Sequence, residues 1–249
     1  MQLNHAILNL AKDAAQKAGK ELTSMIGDAG VISSQDKDIK TKADAAANEI
    51  IRDTLGNKYP IISEEHDSHK RDLTNPEGCW IVDPLDGTLN FTRGLPIVGV
   101  SIGFWRSGEP VVGVVLDFFA EKMYHGIVSE SAFCNTSQIR VSSTKQVSNA
   151  VLGTGFPSGR NYTEESLSAT VSKVQRFKKV RMLGCASLML TMVASGVFDA
   201  YEEEDIYLWD VAGALALVKA AGGQFTMTPG TGLWKYNVMA SNGSLSDLH

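Results

Sequence analysis

A layered α/β or α+β fold is predicted for this 249-residue chain. The prediction rests on helical apolar spacing at the N-terminus, short apolar runs bounded by Gly, Pro and Asp through the middle, and a mixed order of helices and strands to the end.

The elements follow in order. Leu3, Ala6, Ile7, Leu10, Ala14 and Ala18 recur at helical spacing, predicting a first helix that reaches about residue 26. A second follows Thr41, with Ala43, Ala46, Ala47, Ile50, Ile51 and Leu55 on its apolar face, and Gly56 ends it. Residues 59–63 read as a short strand that delivers Glu64 and Glu65. The charged stretch 66–76 reads as a loop; its His66 and His69 lack a ligand pattern, so solvent exposure is the expectation for both. Residues 79–82 are a buried strand. Two strands flank Ser107-Gly108-Glu109, and further strands are expected at 124–128, 138–141 and 151–156. Residues 162–177 and 184–196 read as helices. A last helix at 211–221 is closed by Gly222-Gly223 and followed by strands around Phe225 and Val238. The expected organisation is an N-terminal α+β half, 1–141, and a C-terminal α/β half, 142–249, joined in one compact unit.

Hydrophobic residues make up 43% of the chain and charged residues 20%, which excludes a disordered tail or a fibre. The net charge of −5 argues against a general nucleic-acid or anionic-membrane surface. Cys79, Cys134 and Cys185 are too few and too scattered for a disulfide framework or a thiolate zinc site. The N-terminal segment is amphipathic, without the features of a signal peptide, and no apolar run reaches 18 residues. A reducing, cytoplasmic compartment and no membrane association are expected.

The chemistry concentrates in the segment WIVDPLDGTLNFTRG at 80–94. It places Asp83 and Asp86 on either side of a proline turn where a buried strand ends. Two such carboxylates repel each other, and a divalent cation holds both ionised; a surface turn whose aspartates cap their own backbone is the competing reading. Glu64-Glu65 and Asp210 supply the other acidic clusters. Hard oxygen groups without a companion His or Cys cluster favour Mg²⁺ over Zn²⁺. Asp210 directly precedes the predicted helix, so helix N-cap and metal ligand both stand for it. Leu89-Asn90-Phe91 can begin a helical turn whose free N–H groups suit a phosphate oxygen. Thr88 either orients a water or caps the backbone locally. Cys79, flanked by apolar residues, reads as core.

Taken together these segments resemble the inositol monophosphatase family of Mg²⁺-dependent, lithium-sensitive phosphatases. WIVDPLDGTLNF is similar to its first signature and WDVAGALALVKAAGG, 209–223, to its second. DIKTKAD at 38–44, SEE at 63–65 and GCASLMLTMVASGVFDAY at 184–201 match further family blocks in family order. The resemblance implies an α/β/α/β/α layered sandwich, a homodimer and two or three Mg²⁺ per site. It implies Glu64 as ligand of a first metal and orienter of the attacking water. Asp83 is implied as the carboxylate shared by two metals, the Leu85 carbonyl as a first-site ligand, and Asp86 and Asp210 as second-site ligands. Thr88 matches the residue that holds the nucleophilic water and Asp44 its polarising partner. Glu65 is implied to support a third metal, and the amides of Gly87 and Thr88 to bind phosphate.

The resemblance makes an inositol or related polyol phosphate the default substrate. Histidinol phosphate, fructose 1,6-bisphosphate and 3′-phosphoadenosine 5′-phosphate are the alternatives on the same scaffold, and a non-catalytic regulatory or RNA-associated protein is the alternative of another class. Glu203 matches the position that accepts a bond from a substrate hydroxyl, while Glu202, Glu204 and Asp205 read as a solvated acidic loop. Gly184-Cys185-Ala186 corresponds to the substrate wall, with Cys185 departing from the usual Ser or Thr. The stretch 129–142 also departs, lacking the family's glycines at Ser131 and Thr136.

Overall fold

The computed structural model describes residues 2–35, 38–65, 72–156, 163–246 and 248; His66 and His69 lie outside them. In chain order the elements are α1 (Gln2–Ser24), β1 (Val31–Gln35), β2 (Asp38–Thr41), α2 (Lys42–Leu55), β3 (Ile61–Ser63), β4 (Cys79–Asp86) and α3 (Thr88–Thr92). Next come β5 (Gly99–Arg106), β6 (Glu109–Asp117), β7 (Lys122–Ile127), β8 (Ala132–Cys134), β9 (Ser137–Ile139), β10 (Val151–Thr154) and α4 (Glu164–Val174). The chain finishes with β11 (Lys179–Arg181), α5 (Ala186–Ala194), β12 (Ala200–Tyr207), α6 (Leu208–Ala220), β13 (Gln224–Pro229) and β14 (Lys235–Ser241).

Besides the antiparallel β1–β2 hairpin, two sheets carry the strands. Strands β3 to β9 form a seven-stranded sheet in sequence order, parallel at β3–β4 and antiparallel beyond. The second sheet has the order β11-β10-β12-β14-β13, parallel among its first three strands and antiparallel among its last three. Side-chain alternation decides what each face of the first sheet covers. Trp80, Val82, Val100, Ile102, Phe104, Val112 and Val114 pack with α1 and α2, whereas Cys79, Ile81, Trp105 and Val115 pack with α5 and α6. The residues of α5 and α6 are also core neighbours of β12 and β14, and Val174 at the end of α4 packs on the far side, against the cluster of Leu152 and Ala200. The layers are therefore α/β/α/β/α. No described helix is long and apolar enough to cross a membrane.

Four expectations are corrected. The buried stripe of α1 is Ile7, Leu8, Ala11, Ala14, Ala15, Ala18 and Leu22, while Leu3 is 48% exposed and Ala6 is exposed. Gly19 sets this face: a Cβ there would lie 2.4 Å from Leu116 Cδ2, so the helix seats on β6 where its side chains are smallest. Strand β4 does not stop at Val82 but runs through Asp86. The last helix begins at Leu208, not Val211, so Asp210 lies inside its first turn. The acidic YEEED stretch is strand β12 rather than a solvated loop.

Helix α6 sits unusually close to the first sheet because three glycines meet there. A Cβ on Gly113 would stand 2.1 Å from the Gly213 carbonyl, one on Gly103 3.0 Å from Ala212 C, and one on Gly213 2.7 Å from Ser101 Oγ. Trp105 Nε1 donates to the Ala212 carbonyl at 3.2 Å, fixing the helix along its axis. Gly113→Ala forces this contact apart and should destabilise the fold by about 1–3 kcal/mol. Urea unfolding measures it, and an unchanged midpoint would remove the glycine seat as a determinant of α6 position.

Candidate functional site

Strand β4 creates the centre of the site by breaking its own alternation. Asp83 pairs with Ser101 and Asp86 with Gly99, so three steps on β4 oppose two on β5. In a regular strand residues 83 and 86 would face opposite sides. The extra residue restores Asp86 to the face of Asp83, the one turned toward α5 and α6. Pro84 suits such an irregularity because it has no N–H to lose from the ladder. The Leu85 N–H, released from the ladder, donates to Asp83 Oδ1 at 3.0 Å. Asp83 is 2% exposed, and Asp86 is buried as well.

The neighbouring acids arrive from separate elements. Glu64 follows β3, and its N–H reaches the Val82 carbonyl at 3.4 Å, setting it beside Asp83 across the parallel pair. Asp210 stands at the third helical position of α6 and accepts from the Tyr207 backbone rather than serving as N-cap. Ser187 N–H donates to Asp86 Oδ2 at 2.6 Å and Cys185 Sγ at 3.1 Å, tying α5 to β4. Asp44 closes a capping box at the start of α2: Thr41 N–H and Oγ1 both bond its Oδ2, at 2.8 and 2.5 Å. Its other oxygen takes the Thr88 hydroxyl at 3.0 Å, and the Leu85 carbonyl lies equally close to that hydroxyl. One proton serves these two acceptors, so Thr88 is oriented with its lone pairs outward. Gly87, at φ 93°, turns the chain from β4 into α3, which leaves the first-turn amides of that helix without intrahelical acceptors. Glu65 pairs with Lys40 Nζ at 3.4 Å.

Like charges so buried disfavour their own ionisation. Burial is the largest cause for Asp83, followed by the charges of Glu64, Asp86 and Asp210, and its carboxyl is pushed well above the ordinary value of 3.8. Asp210 is pushed up in the same way, by burial first and then by Glu64, Asp86 and Glu203. Surface area makes Asp210 only half-buried, because it borders the cleft, but protein atoms surround it closely enough for burial to dominate. Burial also raises Asp86 and Asp44, against the bonds from Ser187, Cys185 and Thr41 that favour their charged forms. Among the described residues no three acidic, His or Cys groups already stand in ligand geometry; several of the acids are instead turned onto internal donors. The donor set itself fits a hard divalent cation: it is all oxygen, drawn from the end of β3, from β4 and from α6, and destabilised by mutual repulsion.

A cleft of about 440 Å³ opens beside these acids, bordered by Asp86, Asp210, Glu203, Phe156, Met182 and the Gly184–Ala186 wall. The alternation of β12 sorts its acids. Tyr201 and Glu203 face inward, with Tyr201 OH donating to Glu203 Oε2 at 2.8 Å, while Glu202 pairs outward with Lys173 of α4. Burial pushes Glu203 up to about 7. Gly155 admits that carboxylate, since a Cβ there would lie 2.5 Å from Glu203 Oε2. Asp205, at φ 55°, is spent on Thr231 N–H and Oγ1, each at 2.7 Å. The Cys185 thiol is turned to Asp86 and raised by burial, so it is a donor to a carboxylate and not a nucleophile. The altered 129–142 stretch still forms the β8–β9 turn, with Asn135 taking the left-handed position at φ 52°. Sequence reasoning missed Ser187, Thr41 and Asn90, whose Nδ2 bridges the Ile97 and Leu183 carbonyls at 2.8 Å. The pattern Thr-x-x-Asp at 41–44 was the available signal for the capping box.

The model of the inositol monophosphatase family matches residues 3–248. Inositol-1-monophosphatase of Rhizobium meliloti (strain 1021) is 36% identical over 234 residues, 91% of this chain and 87% of that protein. A fructose-1,6-bisphosphatase/inositol-1-monophosphatase of Aquifex aeolicus (strain VF5) is 30% identical over 249 residues, 97% and 92% of the two chains. The solved inositol monophosphatase from Anabaena (Nostoc) sp. PCC 7120 superposes with a TM-score of 0.82 at 31% identity, covering 98% of this chain and 93% of that one. The chain belongs to the inositol monophosphatase family.

Proposed function

We propose that this protein is a Mg²⁺-dependent phosphate monoester hydrolase acting on inositol 1-phosphate or a related polyol phosphate. The observation that carries the reading is the mutual repulsion of Asp83, Asp86 and Asp210, whose carboxyls are raised with Glu64 contributing at Asp83 and Asp210, beside an oriented Thr88. Glu64, Asp83 and the Leu85 carbonyl would hold one ion, Asp83, Asp86 and Asp210 a second, and Glu65 would support a third. Bound there, Mg²⁺ lowers the pKa of a coordinated water and offsets charge on the phosphoryl group and leaving oxygen.

The residues do the positioning. Asp44 accepts a hydrogen bond from the Thr88 hydroxyl, so the hydroxyl presents its lone pairs to an attacking water and aligns it. Glu64 accepts the water's other hydrogen. The amides of Gly87 and Thr88 bond the phosphate oxygens, and Glu203 and the wall at Gly184, Cys185 and Ala186 contact the alcohol half. The small polyol substrate of the Rhizobium relative's name accords with a cleft of this volume. Lithium sensitivity and a homodimer complete the reading as family-level expectations, and the few scattered cysteines accord with a reducing, cytoplasmic compartment.

Phosphate release from inositol 1-phosphate, glycerol 2-phosphate and histidinol phosphate, with Mg²⁺ and with chelator, tests it. Activity should vanish in chelator, and Asp210→Asn, which keeps the bond to Tyr207, should lose about 100-fold or more. Metal-independent turnover, or near-normal activity of D210N, would contradict the mechanism.

The raised carboxyls also fix the sign of a stability profile. Between its ordinary value of 4.5 and about 7, Glu203 holds a proton in the folded chain that the unfolded chain has released. Asp83 and Asp210 act in the same direction. Stability in chelator therefore falls as pH rises from about 4.5 to about 7. Thermal midpoints across that window should decline in chelator and decline less with saturating Mg²⁺; a flat or rising profile in chelator would mean the acids do not repel.

A further inference from the structure

Tyr201 and Glu203 stand two residues apart on β12 and share its inward face, opposite Ala240 and Val238 of β14. The strand sets where the Glu203 side chain leaves the backbone, but its rotatable bonds leave the carboxylate to be turned by its neighbours. Two contacts turn it. The Tyr201 hydroxyl donates to Oε2 at 2.8 Å, from a ring buried in the layer shared with α5 and α6. Gly155 lies against the whole group: a Cβ there would stand 2.5 Å from Oε2 and 2.7 Å from both Cδ and Oε1. Oε1 receives no donor among the described residues and is not sealed from solvent. Glu203 and Gly155 both border the cleft beside the acidic cluster.

A phenol in this place serves Glu203 in one direction only. Burial first, then the charge of Glu203 and the bond to it, then the charges of Asp210 and Asp86, push Tyr201 well above its ordinary value of 10.0. The hydroxyl therefore keeps its proton and always donates. Its bond also favours the ionised form of Glu203 against burial, so the carboxylate is an acceptor. Tyr201 is 0% exposed and does not border the cleft, so it meets a ligand only through Glu203. A carboxylate bonded at one oxygen and backed by a glycine offers its other oxygen in a fixed direction. An unheld one must be ordered when the ligand binds, which weakens selection.

Resting on the reading of Glu203 as the acceptor of a substrate hydroxyl, we propose that Tyr201 is a positioning residue for substrate selection. By occupying Oε2 it leaves Oε1 to the alcohol half, and so favours phosphate esters with a hydroxyl near the ester carbon over those with none.

The test compares kcat/KM for inositol 1-phosphate and for phenyl phosphate, which has no hydroxyl on its alcohol half. The unaltered protein, Tyr201→Phe, Glu203→Ala and the double variant are measured with saturating Mg²⁺. The ratio of the first ester to the second should fall about tenfold in Y201F, chiefly through KM for inositol 1-phosphate, and at least as far in E203A. Y201F should lower it no further in the E203A background, because the hydroxyl acts through that carboxylate. A ratio unchanged in Y201F, whether both esters weaken together or neither does, overturns the positioning role. An equal further fall in the double variant overturns it too. A ratio unchanged in E203A overturns the reading of Glu203 as hydroxyl acceptor and the inference with it. No hydrolysis of either ester by the unaltered protein overturns the phosphatase reading itself.

Discussion

Repulsion among buried carboxylates is the constraint around which this molecule is built. The irregularity at Pro84-Leu85 turns Asp86 onto the face of Asp83, and two further acids, Glu64 and Asp210, reach it from the end of β3 and the first turn of α6. Such a cluster opposes folding, since each acid is desolvated and each raises its neighbours. It persists because the surrounding scaffold is stable enough to impose it, and it would supply the driving force for a divalent cation bound there. Strain at a functional site carried by the rest of the fold is the general pattern.

The scaffold imposes it through close backbone contact more than through side-chain bonds. Glycines at 103, 113 and 213 let α6 lie against the first sheet, so the first turn of the helix reaches the end of β4. Ser187 and Cys185 bring the start of α5 to Asp86, and Thr41 holds Asp44 for Thr88. The site therefore joins the N-terminal elements to the C-terminal helices. Its assembly depends on the inter-sheet layer being packed before any ligand arrives.

Much of this was legible in the sequence. Apolar periodicity located α1, α2, α5 and α6, and Gly and Pro marked most strand ends. Carboxylates clustered at element boundaries are chemically conspicuous, and the fold brings Asp83, Asp86, Glu64 and Asp210 within reach of one another's charge. What stayed hidden has a physical reason in each case. Asp-Pro-Leu-Asp reads as a turn, because the bulge that keeps it inside a strand depends on its register with β5. Tyr207-Leu208-Trp209 carries no capping side chain, so α6 starts earlier than its local chemistry signals. The run of acids at 202–205 masked β12, whose inward and outward faces each find partners only in the folded state. Alanines spread around α1 made its buried face ambiguous until Gly19 met Leu116.

The most direct measurement is proton release on binding Mg²⁺, followed near pH 6 by titration calorimetry in buffers of different ionisation enthalpy. Acids held partly protonated by burial must give up protons to coordinate a cation. Protons should be released on Mg²⁺ binding in the unaltered protein, and fewer in Asp83→Asn. Mg²⁺ binding without proton release, or release unaltered by that substitution, would contradict a site founded on opposed carboxylates.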